Sequence, residues 1–204
     1  MSIRAVIAGV VAGIVLFVWG FVTNMIIPLG EVGIKYLDRG HEEAVLNTMR
    51  EQIEEPGLYF MPGWDRSLTG EELNSELARW NGAYESGPTG FLIFHPTGTS
   101  PISPRQLGVQ LILDLFIGVF AAFIISHCAN AGFVSKLTIA GLCGVLAFLA
   151  SDAAYCNWFR YPLDFTLAKF ADKVCGFLLV GLTLAILIKA RPDQGKTERS
   201  DTAK

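Results

Sequence analysis

Five ionisable residues stand where this chain has least room for them. Asp114, Asp152, Lys169, Asp172 and Lys173 lie in or beside the long apolar stretches of the C-terminal half. A charge near the centre of a membrane helix costs about 2.5 to 3.5 kcal/mol on insertion scales, so several together are tolerated only if they face inward and pair. Three carboxylates against two ammonium groups leave one acid over. Such a set supports two kinds of chemistry. Asp114 and Asp152 can neutralise Lys169 and Lys173 and so lock helices together, or the excess acid can carry a proton or bind a cation or a polar headgroup.

The spacing favours one shared layer. At 1.5 Å per helical residue, Asp114, Asp152, Asp172 and Lys173 are predicted to fall roughly 10 to 14 Å below one surface, with Lys169 a turn further out. Gln110, Asp114, Gly118 and Ala121/Ala122 share one helical face; so do Gly141, Gly144, Phe148 and Asp152, and again Lys169, Lys173, Gly176, Val180 and Thr183. Each charged face is also a small-residue face, which lets membrane helices approach closely. The first apolar stretch has the small step Gly9 to Gly13 but no charge, and its polar groups, Thr23 and Asn24, sit at its outer end. Gly9, Gly13, Gly118, Gly144 and Gly176 are therefore the expected helix-packing positions.

Other chemistries lack their residues. No complete Gly-x-x-x-x-Gly-Lys-Ser/Thr phosphate loop and no Gly-x-Ser-x-Gly elbow occurs. His41-Glu42 opens like a zinc-protease motif, but the second histidine position is Val45. His127 is the only histidine near an apolar stretch, which argues against a bis-histidine haem held within this chain. Cys128, Cys143, Cys156 and Cys175 are expected at different depths and do not suggest a metal site, with Cys156 the one candidate for an exposed thiol. No cofactor, metal or catalytic residue is expected. A lipid-modifying site built from His95 and nearby acids, with Tyr59 alongside, is the weakest of the chemistries considered, because no motif supports it.

The elements that must position the charged layer follow from hydropathy. The chain has 204 residues, 51% hydrophobic and 17% charged, with a mean hydropathy of +0.43. Average soluble domains carry about 25% charged residues. Ala5 to Gly30 contains no Asp, Glu, Lys or Arg, which suits a retained anchor better than a cleaved signal peptide. Four spans are expected: Ala5 to Ile27, Gln106 to Ser126, Leu137 to Phe159 and Asp164 to Ile188. The uncharged run between Lys173 and Lys189 is too short for a full hydrocarbon core, so either the fourth helix begins early and carries Lys169, Asp172 and Lys173 with it, or the bilayer thins there. A net charge of −3 removes any general case for nucleic-acid binding.

Arg4, Lys136, Lys189, Arg191, Lys196, Arg199 and Lys204 gather on one side of these spans, while Pro28 to Pro104 carries twelve acids against five bases. The basic side is expected to be cytoplasmic, with both termini inside and the acidic segment outside. Trp158, Phe159 and Tyr161 read as an aromatic belt. Within the outer segment, apolar spacing predicts a helix over Glu42 to Ile53. A second is predicted from a Thr69/Glu72 capping box through the stripe Leu73, Leu77, Trp80 and Tyr84 to Gly87-Pro88. Leu58 to Met61 and Phe91 to Phe94 read as strands that can pair.

The expected fold is all-α transmembrane: a four-helix membrane bundle with a small α+β extracytoplasmic insert between helices 1 and 2. Its divisions are residues 1–27, the first span; 28–104, the cap; 105–189, three spans; and 190–204, a disordered cytoplasmic tail. The segments Pro56-Gly57-Leu58-Tyr59-Phe60-Met61-Pro62-Gly63 and Gly87-Pro88-Thr89-Gly90-Phe91-Leu92-Ile93-Phe94, placed after an N-terminal span, resemble uncharacterised bacterial four-span inner-membrane proteins with an extracytoplasmic cap. That resemblance implies location and architecture and no activity. The leading functional expectation is a non-catalytic accessory or assembly subunit in the lipid bilayer, packed against another membrane protein or a second copy. The alternative is a small proton- or ion-coupled transporter using the Asp/Lys layer.

Overall fold

The computed structural model describes residues 2–98, 100–128 and 132–188. In chain order the elements are α1 (Ile3–Phe21), α2 (Arg39–Gln52), β1 (Gly57–Met61), α3 (Gly70–Ser86), β2 (Gly90–Phe94), α4 (Pro104–His127), α5 (Phe133–Phe148), α6 (Ala154–Phe159) and α7 (Leu163–Leu187). Two π turns interrupt this scheme. Val22–Ile26 prolongs α1, and Leu149–Ala153 joins α5 to α6. Four helical stretches are long and apolar enough to cross a bilayer: Ile3–Ile26, Pro104–His127, Phe133–Phe159 and Leu163–Leu187. The tail expected over 190–204 lies outside the described residues.

The chain divides into two compact units, Met1–Ile34 with Ile102–Lys204, and Lys35–Pro101. Pro28 to Ile34, read from sequence as the start of the cap, thus belongs to the helical unit. The reason is local. Gly33 has φ +80° and rests on the first turn of α7, where a methyl group would stand 2.7 Å from Asp164 Oδ1 and from Phe165 Cβ.

Within the helical unit the main contacts of the long helices run in a row, α4–α1–α7–α5. α1 lies between α4 and α7, α7 lies between α1 and α5, and α4 touches α5 and α7 only sparingly. Ala8, Ala12, Ala121, Ala122, Ile125, Val180 and Leu184 make the buried core of this row. Small residues set the spacing. A methyl group on Gly9 would stand 2.7 Å from Val119 Cα, and one on Gly13 2.6 Å from the Asp114 carbonyl oxygen. One on Gly118 would strike the Gly9 carbonyl and the Gly13 amide, so α1 and α4 meet backbone to backbone. Gly144 faces Phe177 and the Lys173 carbonyl on α7, and Gly176 faces Leu16 and Trp19 on α1.

Helix ends depart from the sequence reading in instructive places. α4 starts at Pro104 because Ser103 and Gln106 form a reciprocal capping box. Lys136, counted among the bases of the expected cytoplasmic side, is only 4% exposed. Its ammonium donates to the Ile188 carbonyl, satisfying the C-terminal end of α7. α6 closes at Arg160, which adopts a left-handed conformation with φ 55°.

In the second unit, β1 and β2 pair antiparallel, Gly57 opposite Phe94 through Met61 opposite Gly90. α3 lays its aromatic stripe on this ribbon: Trp80 Nε1 donates to the Pro62 carbonyl at 2.8 Å, and the rings of Phe60 and Tyr84 lie 6.0 Å apart. Phe60 also meets Phe91 across the strands at 4.8 Å. The expected capping box at Thr69 does not form; Thr69 makes no side-chain cap, and the helix opens at Gly70, which has φ +61°. α2 begins earlier than predicted because Asp38 accepts from the His41 amide at 3.2 Å, and it buries none of its residues.

Candidate functional site

The charged residues of the helical unit do not form one layer of pairs. They divide about Lys173. On one side, the π turn after α5 presents Ser151 and Asp152 toward α7. Lys173 Nζ donates to Ser151 Oγ at 2.6 Å and forms an ion pair with Asp152 Oδ2. Ser151 Oγ lies 2.8 Å from Asp152 Oδ2 as well, so this carboxylate has two partners. A π turn inserts an extra residue into the helical ladder and recurs at functional sites.

On the other side lies a cavity of 420 Å³ between α1, α4 and α7. Asp114 is on its wall and only 5% exposed. Gln110, one turn earlier on α4, donates to Asp114 Oδ1 at 3.0 Å. No described cation bonds to Asp114. Asp172 is also on the wall, and its buried Oδ1 has no hydrogen-bond partner among the described residues. Lys173 borders the same cavity while its ammonium is engaged by Asp152.

α1 completes this site although its one charge, Arg4, lies in its first turn, away from the cavity-lining residues Leu16 to Met25. Trp19 Nε1 donates to the Asp172 carbonyl at 3.1 Å and fixes the indole between α1 and α7. The π turn at the end of α1 places Asn24 on the cavity wall, with its Nδ2 donating to the Gly20 carbonyl at 2.8 Å. Thr23 beside it is fully buried and returns its hydroxyl to Trp19 and Gly20 carbonyls.

The arrangement corrects the expected pairing of Asp114 and Asp152 with Lys169 and Lys173. Only the Asp152–Lys173 pair is present among the described residues. Lys169 instead lies 5.3 Å from the centre of the Phe165 ring, one turn earlier on α7. Asp114 and Asp152 occupy different helix interfaces, because α7 and α1 stand between most of α4 and α5. The wall group Asp114, Asp172 and Lys173, taken with Asp152, therefore carries two acids beyond its one lysine.

The other candidates stay apart. Tyr59 Oη donates to the Glu55 carbonyl at 2.9 Å, and no hydrogen bond among the described residues joins it to His95. All four cysteines are free; Cys128 and Cys175 are the exposed ones, while Cys156 is half-buried with its thiol toward the Tyr161 carbonyl. No group of three or more His, Cys, Asp or Glu among the described residues is placed to hold a metal ion. The strongest electrostatic shift outside the spans is at Glu76, pushed down to about 2 by hydrogen bonds from the Arg79 guanidinium.

No family model, curated protein or solved structure matches this chain.

Proposed function

We propose that this chain is a small membrane carrier that binds a cation or proton in the cavity between α1, α4 and α7, with Asp114 as the binding carboxylate. One observation carries the reading: Asp114 is almost completely buried, faces a cavity, and has a neutral glutamine as its described partner. An acid inside an apolar helix unit that is not spent on pairing is a functional site by default. Asp172 adds a second carboxylate to the same wall. Asp152 and Lys173 satisfy each other and act as the fixed side of the site, and Lys169 lies outside it.

Under this reading the protein sits in a bacterial inner membrane with its termini cytoplasmic and its cap outside, as the distribution of lysine and arginine supports. The test is flux in proteoliposomes. Asp114→Asn abolishes cation- or proton-coupled transport while the melting temperature stays near that of the parent. Unchanged flux in a folded Asp114→Asn protein overturns the proposal.

The exposed apolar side chains of α4 (Phe116, Phe120) and α5 (Leu142, Leu146) favour a second reading, an accessory subunit. Purification in mild detergent would then retain a stoichiometric membrane-protein partner. A clean monomer would count against it.

A further inference from the structure

We infer that the cavity between α1, α4 and α7 takes an organic ammonium ion, an amine bearing an apolar substituent, in preference to a metal ion or an anion. The inference deepens the carrier reading and rests on it for the site being one that ligands enter.

Charge sign comes first. Asp114 and Asp172 border the cavity, and the one lysine on its wall has its ammonium held by Asp152 and Ser151. The balance around the space is negative. A carboxylate or phosphate entering it would meet two acids and no free described base, so a cation is the favoured occupant.

The wall then separates organic from inorganic cations. Phe17, Trp19, Phe21 and Phe177 all contribute to it. Aromatic rings attract weakly hydrated ammonium ions, and the attraction grows when water is excluded. A hard metal ion needs six or more oxygen ligands in calcium sites or a near-octahedral set in magnesium sites. This wall offers two carboxylates and the amides of Asn24 and Gln110 on three different helices, and no metal-holding group of acids, histidines or cysteines exists among the described residues. A volume of 420 Å³ falls in the range of small-molecule pockets and far exceeds a bare ion.

Hydrogen bonding adds a preference for an N–H donor. Asp114 Oδ1 accepts from Gln110, while its Oδ2 has no hydrogen-bond partner among the described residues. An unsatisfied buried acceptor is costly, and a protonated amine that reaches it supplies the missing donor. Trp19 is already committed, since its N–H is bound to the Asp172 carbonyl, so its ring position on the wall is set before any ligand arrives. An ammonium held by Asp114 with its substituent among the rings uses the carboxylate and the aromatic wall together.

The experiment is calorimetric titration of the full chain in lipid nanodiscs with phenethylammonium. Phenylethanol, phenylacetate and sodium, each at matched ionic strength, are the uncharged, anionic and inorganic comparisons. Saturable one-to-one binding of the ammonium alone is expected, weakened about tenfold or more by Asp114→Asn. Asp172→Asn weakens it in the same direction and serves if the first variant fails to fold. Absence of saturable binding overturns the inference. So does equal binding of phenylethanol, equal competition by sodium, or unchanged affinity in a folded variant of either aspartate. Failure here and failure of the carrier reading are separable. Proton flux lost in Asp114→Asn without any ammonium binding sinks only the ligand class; Asp114-dependent binding with no flux by the parent protein sinks only the carrier.

Discussion

The two flanks of the helical row are joined by different means. Between α5 and α7, charge is part of the joint: Lys173 reaches Ser151 and Asp152, and Lys136 reaches the Ile188 carbonyl just past α7. Between α1 and α4 the backbones touch at Gly9, Gly13 and Gly118, and no side-chain polar contact is required. The acid on that second flank, Asp114, is left with glutamine alone. The contrast teaches that where small residues do the joining, a buried carboxylate is released from structural duty. Where charge does the joining, the carboxylate is consumed.

The largest effect should come from breaking the glycine joint. Gly118→Val pushes a side chain into the Gly9 carbonyl and to within 2.8 Å of Gly13 Cα, neither of which can yield as a side chain would. A loss of about 3 kcal/mol or more is expected, seen as aggregated protein in size-exclusion chromatography. Gly20→Ala, with nothing within 4 Å, should elute and melt as the parent does.

Next in size is the charged joint. Lys173→Met leaves Asp152 with only Ser151, and because the pair is partly exposed a loss of about 2 kcal/mol is expected, less than for a fully buried pair. Adding Asp152→Asn should recover most of it, and thermal melts of the four proteins give the coupling directly. If the double variant is as unstable as the single, the joint is not electrostatic.

Asp114→Asn sharpens the comparison from the other side. The amide still accepts from Gln110, so stability should change by no more than about 1 kcal/mol by the same melts. A loss as large as that of Lys173→Met would make Asp114 structural after all.

The smallest effect belongs to an exposed pair that serves as a reference. Glu76 titrates at about 2 instead of the ordinary 4.5 because Arg79 bonds its carboxylate. Its folded value is depressed, so the contribution of the pair is present above pH 4.5 and is lost as pH falls through about 2. Arg79→Ala should return Glu76 to the ordinary carboxylate range in an NMR titration, with little change in melting temperature near neutral pH.

The four long helices and the small ribbon were legible because each rests on a local pattern: uncharged length for the spans, short apolar runs between glycine and proline for the strands. The charged residues were legible as anomalies for the same reason. Which helix stands beside which was not. All apolar faces look alike in sequence, and α1, uncharged after Arg4, gave no sign that it would contact both α4 and α7 and supply Trp19 and Asn24 to the cavity. The π turns were equally hidden, since one extra residue in a ladder leaves no compositional trace. At Thr69 the opposite happened: the spacing promised a cap that the backbone at Gly70 does not make.

The position of α7 has a consequence for how the row is built. α5 precedes α7 in the chain, yet α7 is its main neighbour, so α5 has no seat when it is made. α1 can take up α4 as soon as Gly118 is synthesised, but its other side also waits. α7 carries both Lys173, which meets Asp152, and the Asp172 carbonyl, which meets Trp19, so both joints require it. The void beside Asp114 therefore takes one of its walls from α7, and a chain cut short before Asp172 would lack that wall however well its earlier helices were inserted.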